Sequence, residues 1–283
     1  MSRMTGPVRS VLYLPASNPR AIEKARTLAC DVAVLDLEDA VAPEAKADAR
    51  HAAVEAVRAG GFGLRLGVRI NGLDTPWGKD DLDALRDSGV RLIVAPKVES
   101  EHGVRDLSAR LPAGCDLWAM IETPLAVLRL DAIAGTGGAL AGLMLGVNDL
   151  AKGLGTGPSA DREPLKPWMA ATVAAARAHG LVALDGVFNR IDDAEGLAAE
   201  CAQGRLYGFD GKSLIHPSQV AVANAAFSPG EDEVRAARAI VAAFAAPQAA
   251  GLGAIRLNGA MVERLHLEAA EALLARHEAA QAR

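Results

Sequence analysis

The sequence predicts a (β/α)8 TIM barrel with a C-terminal helical extension, on three observations. Short apolar runs of strand type recur eight times, alanine-rich segments of helical period separate them, and the alternation fills roughly the first 220 of 283 residues. The first run, RSVLYLP (9–15), leads into the helical pattern NPRAIEKARTLA. VAVLDLED (32–39) precedes EAKADARHAAVEAVRAG, where Gly60 fits a helix C′ position. LRLGVRIN (64–71) and RLIVAPKV (91–98) enclose DDLDALRDSG, closed by Gly89. CDLWAMIE (115–122) and ALAGLMLGV (139–147) are consecutive, and the glycines of GTGGALAG (135–142) shape the turn into the sixth strand rather than a nucleotide loop. PLKPWMAATVAAARAHG, closed by Gly180, leads to LVALDGVF (181–188) and then RLYGFDGKS (205–213). Residues 1–225 are read as the barrel. After IHPSQ (215–219) two helical stretches, 229–246 and 261–280, make 226–283 an extension able to reach a neighbouring subunit. Between them QAAGLGAIRLNG reads as a flexible connector or a short strand.

Composition excludes several functions. Hydrophobic residues make up 51% of the chain and the net charge is −5, which leaves no basic footprint for nucleic acid or an anionic membrane surface. The N-terminus lacks a signal-peptide core, and no apolar run reaches the ~18 residues of a membrane span. A cytoplasmic protein is expected. Cys30, Cys115 and Cys201 lack CxxC spacing and are expected as buried free thiols.

Two acids stand out by position. Glu122 in MIET and Asp149 in LGVNDL each follow one of two consecutive strand-type runs, so both are expected at the C-terminal rim of the barrel, where chemistry is placed. Mg²⁺ takes oxygen ligands and needs only one or two protein carboxylates, so the pair is a candidate metal site; the alternative is two strand-end caps or ion-pair partners. In LDLEDAV, Asp36 and Glu38 share a strand face, and Glu38 and Asp39 are preferred over Asp36 as supporting acids. Lys97 in APKVE and Lys212 in DGKSLIHP also end strands and define a rival mechanism, a Schiff base with a keto acid. His216 in IHP is read as holding its loop.

Taken in order, RSVLYLPASNPR, LDLEDAVAPEAKADAR, VRIN, PKVE, IET, LGVNDL and GKSLIHPSQ resemble the citrate lyase beta subunit family of the HpcH/HpaI aldolase superfamily, over nearly the whole chain. The resemblance implies a Mg²⁺-dependent barrel that cleaves or forms a carbon–carbon bond beside a thioester. It implies a citryl, malyl or citramalyl substrate on coenzyme A or acyl carrier protein, and an α-keto acid product such as oxaloacetate, glyoxylate or pyruvate. Assembly as a homotrimer or a multiple of it follows from the same likeness. So does the alternative of a noncatalytic scaffold beside lyase alpha and gamma subunits. It makes Glu122 and Asp149 the metal ligands, with Glu122 also at the substrate. It makes Arg69 of VRIN the grip on a substrate carboxylate, which a forked guanidinium can hold in bidentate fashion; a structural ion pair with Glu38 or Asp39 is the alternative. Lys46 and Arg50, one helical turn apart, suit a phosphate-bearing carrier such as coenzyme A, although a solvated helix face explains them equally well. Glu263 of MVERLH stands where relatives carry an acid that serves a neighbour's active site, there an Asp. The added methylene favours a plain lyase over a thioester hydrolase.

Overall fold

Eight parallel strands follow one another around a closed barrel: β1 (Ser10–Pro15), β2 (Val32–Asp36), β3 (Arg65–Arg69), β4 (Leu92–Ala95), β5 (Asp116–Ile121), β6 (Leu140–Leu145), β7 (Val182–Asp185) and β8 (Gly211–Leu214), with β8 pairing back to β1. The computed structural model describes residues 6–246 and 249–281. Helices follow the strands, as the alternation in the sequence predicts. Because strands of such a barrel are covered on both faces, their sequences are apolar almost throughout rather than alternating.

The two faces form separate cores. Val11, Tyr13, Val34, Val94, Trp118 and Met144 belong to a cluster that fills the lumen, while Leu12, Leu35, Ile93, Leu117 and Leu143 join the larger cluster beneath the helices. Both clusters draw on alternate residues of the same strands, the period-two rule of a pleated strand. Fully buried Trp118 is the largest lumen side chain.

Strand eight starts later than the sequence reading places it. Arg205, Leu206 and Tyr207 close the helix Ala194–Tyr207, which stops because Gly208 takes a left-handed backbone (φ 97°) that a side chain would strain. The strand is only Gly211–Leu214.

The described residues divide into two compact units, the second beginning at Ser228. That second unit holds the helix Glu231–Ala245, an antiparallel hairpin of β9 (Ala254–Leu257) and β10 (Ala260–Glu263), and the helix Arg264–Gln281. The hairpin turns on Asn258 and Gly259, both at positive φ (51° and 84°), the backbone that an Asn-Gly pair adopts in a tight two-residue turn. Part of the predicted connector is therefore strand, and Glu263 ends β10 instead of sitting inside a helix. Among the described residues no helix is long and apolar enough to cross a membrane, and all three cysteines are buried.

Candidate active site

At the C-terminal rim of the barrel a cavity of about 330 Å³ is lined by Tyr13, Asp36, Asp39, Arg69, Glu122 and Asp149, among others. Strand register assembles one side of it. Asp36 and Arg69 are cross-strand partners at the ends of β2 and β3. The guanidinium binds Asp36 in bidentate fashion, Nε donating to Oδ1 at 2.7 Å and Nη2 to Oδ2 at 2.6 Å. Its Nη1 faces Glu38 Oε2 at 2.9 Å and Asp39 Oδ2 at 3.5 Å. The flat face of the cation lies 4.7 Å from the Tyr13 ring centroid. Tyr13 donates its hydroxyl to Met144 Sδ at 2.8 Å, so the floor of the cavity is a Tyr–Met layer.

The ranking of Asp36 behind Glu38 and Asp39 is thus corrected, although Glu38 does stand beside Arg69 as expected, its Oε2 2.9 Å from Nη1. Asp36 is the principal partner of Arg69, because it is the last residue still in the strand and points into the lumen, whereas Asp39 lies beyond the strand end and is largely exposed (66%).

Glu122 follows β5 and is buried. Gly146, immediately after β6, makes room for it: a Cβ there would lie 2.4 Å from both Glu122 Cβ and Oε2. Glu122 Oε1 accepts the backbone N–H of Lys97 at 2.7 Å, and Lys97 presents that N–H from a left-handed conformation (φ 51°) unusual for a residue with a side chain. Burial pushes the Glu122 carboxyl up to about 7; the Lys97 N–H and Arg69 oppose the rise, while Glu38 and Asp149 add to it. Asp149 is not at a strand end, as the sequence suggested, but in the first turn of the helix Val147–Leu154. The side chain of Lys97 ties the acids together, its Nζ lying 3.1 Å from Glu38 Oε1 and 3.7 Å from Asp149 Oδ2.

The acids outnumber the cations. Asp36, Glu38, Asp39, Glu122 and Asp149 are five acids set against three cations, Arg69 and Lys97 in the site and Lys46 behind it. Glu38 Oε2, although near Arg69, has no aligned hydrogen-bond donor. An excess of hard oxygen donors with one carboxylate held near neutrality fits a divalent cation such as Mg²⁺. Among the described residues no group of three or more His, Cys, Asp and Glu has the geometry of an all-protein metal cage, so the fit is to the open, water-completed type of Mg²⁺ site.

Neither Lys97 nor Lys212 is set up for the imine mechanism. Desolvation pulls the Lys97 pKa down, but Glu38, with Glu122 and Asp149, more than reverses it, so the amine stays protonated. Lys212 is fully buried and donates to Asp185 Oδ2 (3.1 Å), Glu200 Oε1 (2.6 Å) and the Gly186 carbonyl, which uses all three of its donors.

The expected pairing of Lys46 and Arg50 with a carrier is also corrected. Lys46 is buried, and its ammonium donates to the Leu37 carbonyl (2.8 Å), the Glu38 carbonyl (2.7 Å) and Asn71 Oδ1 (2.7 Å), leaving no donor for a phosphate. Arg50 turns inward to Asp81 at 2.7 Å, and Asp81 also accepts from Asn71. These two cations brace the segments that follow β2 and β3. His216 Nδ1 pairs with Ser218 and caps the turn Pro217–Gln219, the loop role read from the sequence. Glu263 lies in the second unit, its backbone N–H donating to His266 Nδ1 at 2.9 Å. Tyr13, Gly146 and the dominant role of Asp36 escaped the sequence reading; only the registers of β1 on β2, β2 on β3 and β5 on β6 expose them.

The profile of the HpcH/HpaI aldolase/citrate lyase family matches residues 9–217. The chain belongs to that family. A (3S)-malyl-CoA thioesterase from Cereibacter sphaeroides is 44% identical over 280 residues, 99% of this chain and 98% of that protein. An L-malyl-CoA/beta-methylmalyl-CoA lyase of the same organism is 36% identical, covering 96% of this chain and 95% of the relative. The structure is similar to that of CitE from Mycobacterium tuberculosis in complex with magnesium, acetoacetate and coenzyme A. The TM-score is 0.80 with 34% identity, over 98% of this chain and 99% of that one. This family member therefore shares its barrel and extension with proteins named for coenzyme A thioester chemistry.

Proposed function

We propose that the protein is a Mg²⁺-dependent carbon–carbon lyase that cleaves a malyl-, citramalyl- or citryl-type thioester into an acyl thioester and an α-keto acid. The observation that carries this reading is the convergence of Glu122, Asp149 and Arg69 on one cavity of about 330 Å³ at the C-terminal rim. Glu122 and Asp149 hold the metal, and Glu122 also borders the substrate. Bound there, Mg²⁺ supplies a Lewis acid that polarises the reacting substrate oxygen. Arg69 binds the substrate carboxylate with the guanidinium N–H groups that Asp36 leaves free. Asp36, Glu38 and Asp39 fix the direction of that cation, so the carboxylate is oriented as well as attracted. Tyr13, Met120 and Leu145 supply the apolar wall. The 36% identical malyl-CoA lyase and the likeness to a magnesium, acetoacetate and coenzyme A complex support this reading. Its assembly as a cytoplasmic homotrimer, or a multiple of it, with Glu263 serving a neighbouring subunit, rests on the family resemblance.

A second reading is hydrolysis of the thioester itself, and the higher identity, 44%, to a protein named (3S)-malyl-CoA thioesterase favours it. Incubation of the purified protein with (3S)-malyl-CoA and Mg²⁺ decides between them. The lyase reading predicts acetyl-CoA and glyoxylate in equal amounts; free coenzyme A and malate would establish hydrolysis. Absence of turnover on malyl-, citramalyl- and citryl-CoA by the isolated protein would return the scaffold alternative.

A further inference from the structure

Lys97 does two jobs that pull on the same site. Its backbone N–H, presented from a left-handed φ of 51°, holds Glu122 Oε1 at 2.7 Å. Its ammonium lies 3.1 Å from Glu38 Oε1 and 3.7 Å from Asp149 Oδ2. A left-handed non-glycine residue stores strain that surrounding contacts must hold, and here those contacts are the carboxylates of the candidate metal site. The ammonium therefore supplies part of the positive charge that those acids require.

The side chain is also placed to leave. It is about half exposed (46%) and lines a second cavity of about 370 Å³, bordered by Asn71, Asp74, Glu99, Ser100 and Thr123 but not by Asp149. That cavity contains two further carboxylates, Asp74 and Glu99, able to receive a displaced cation.

We propose that Lys97 is a resident counter-cation of the site, whose ammonium neutralises Glu38 and Asp149 before metal binds and moves to the neighbouring cavity when a divalent cation takes its place. Lys97 is then a positioning residue with two separable parts. The backbone aims Glu122, and the side chain sets metal affinity through exchange of one cation for another. The inference rests on Glu122 and Asp149 being metal ligands, as proposed above.

The test compares Lys97→Met, Lys97→Gly and Lys97→Arg with the unaltered protein, using Mn²⁺ and Mg²⁺ as the probes. Glycine tolerates the left-handed backbone, so Lys97→Gly keeps the N–H to Glu122 without strain and guards against a folding failure in Lys97→Met. Titration by calorimetry or by the Mn²⁺ spin-resonance signal is expected to show binding tighter by up to about fivefold when the ammonium is removed, and near-unaltered binding for Lys97→Arg. In the unaltered protein, Mg²⁺ is expected to increase the rate at which an amine-reactive reagent labels Lys97, because the ammonium leaves Glu38 and Asp149 for the open neighbouring cavity. Unchanged or weaker metal binding in Lys97→Gly, or labelling that does not rise with Mg²⁺, overturns the exchange. Absence of metal binding in all four proteins overturns the metal site itself, and the exchange with it.

Discussion

Asp36 and Arg69 face each other in register across β2 and β3, and their bidentate contact at 2.6–2.7 Å is buried at the mouth of the barrel. Removing one member of a buried pair leaves an uncompensated charge, so Asp36→Ala is expected to lower stability by about 3–5 kcal/mol in urea unfolding. Arg69→Lys keeps the charge but not the fork. It is expected to lower kcat/KM about 100-fold, mainly through KM, because a point charge cannot be gripped by Asp36 and grip a substrate carboxylate at once.

Glu122 gives the site a pH signature. Its folded-state carboxyl is raised from 4.5 to about 7, so the native state binds the proton more tightly than the unfolded chain does. The sign follows: metal-free protein loses stability from this group as pH rises from 4.5 to about 7, by up to about 3 kcal/mol, and gains none above. Glu122→Gln should flatten that slope in thermal unfolding followed against pH. Metal needs the ionised form, so Mg²⁺ affinity should weaken by about tenfold per unit below pH 7, with about half a proton released on binding at pH 7.

Gly146 is a steric requirement of the site rather than of the backbone. Its φ is −96°, which any residue adopts, but an added Cβ meets Glu122 at 2.4 Å. Gly146→Ala should leave the barrel folded by circular dichroism and reduce metal affinity about tenfold or more, since displacing a ligand by an ångström undoes its positioning. Equal affinity in the two proteins would show that Glu122 is not a ligand.

Glu263 is proposed to serve turnover and not metal binding. Glu263→Gln should spare Mg²⁺ binding while slowing turnover, and unchanged turnover would remove it from the chemistry. Mixing it with Arg69→Lys protein tests the neighbouring-subunit assignment: partial recovery of activity requires that sites be completed across subunits.

The barrel was legible because its strands are covered on both faces, which turns each into a short apolar run that helices interrupt. Boundaries were legible where a glycine ends a helix, as at Gly60 and Gly180, and lost where a helix ran into an apolar stretch, as at Arg205–Tyr207. Glu122, Asp149 and Arg69 could be singled out because each lies at or just beyond the end of an apolar run, and the structure brings all three to one cavity. Asp36 was ranked behind its neighbours because sequence spacing does not say where β2 stops, and its partnership with Arg69 is a matter of register. Lys46 looked like a surface cation, yet it is buried by the carbonyls of Leu37 and Glu38, which a helical pattern cannot reveal. The Asn258–Gly259 turn carried a readable signal, an Asn-Gly pair between strand-type residues, hidden by the glycine-rich stretch around it.

The most direct test of the account is calorimetric titration of an α-keto acid such as oxaloacetate into the protein with and without Mg²⁺, repeated for Glu122→Ala and Asp149→Ala. The account predicts binding only when Mg²⁺ is present and loss of that binding in both variants. Binding without metal, trapped covalently by borohydride on Lys97 or Lys212, would contradict it.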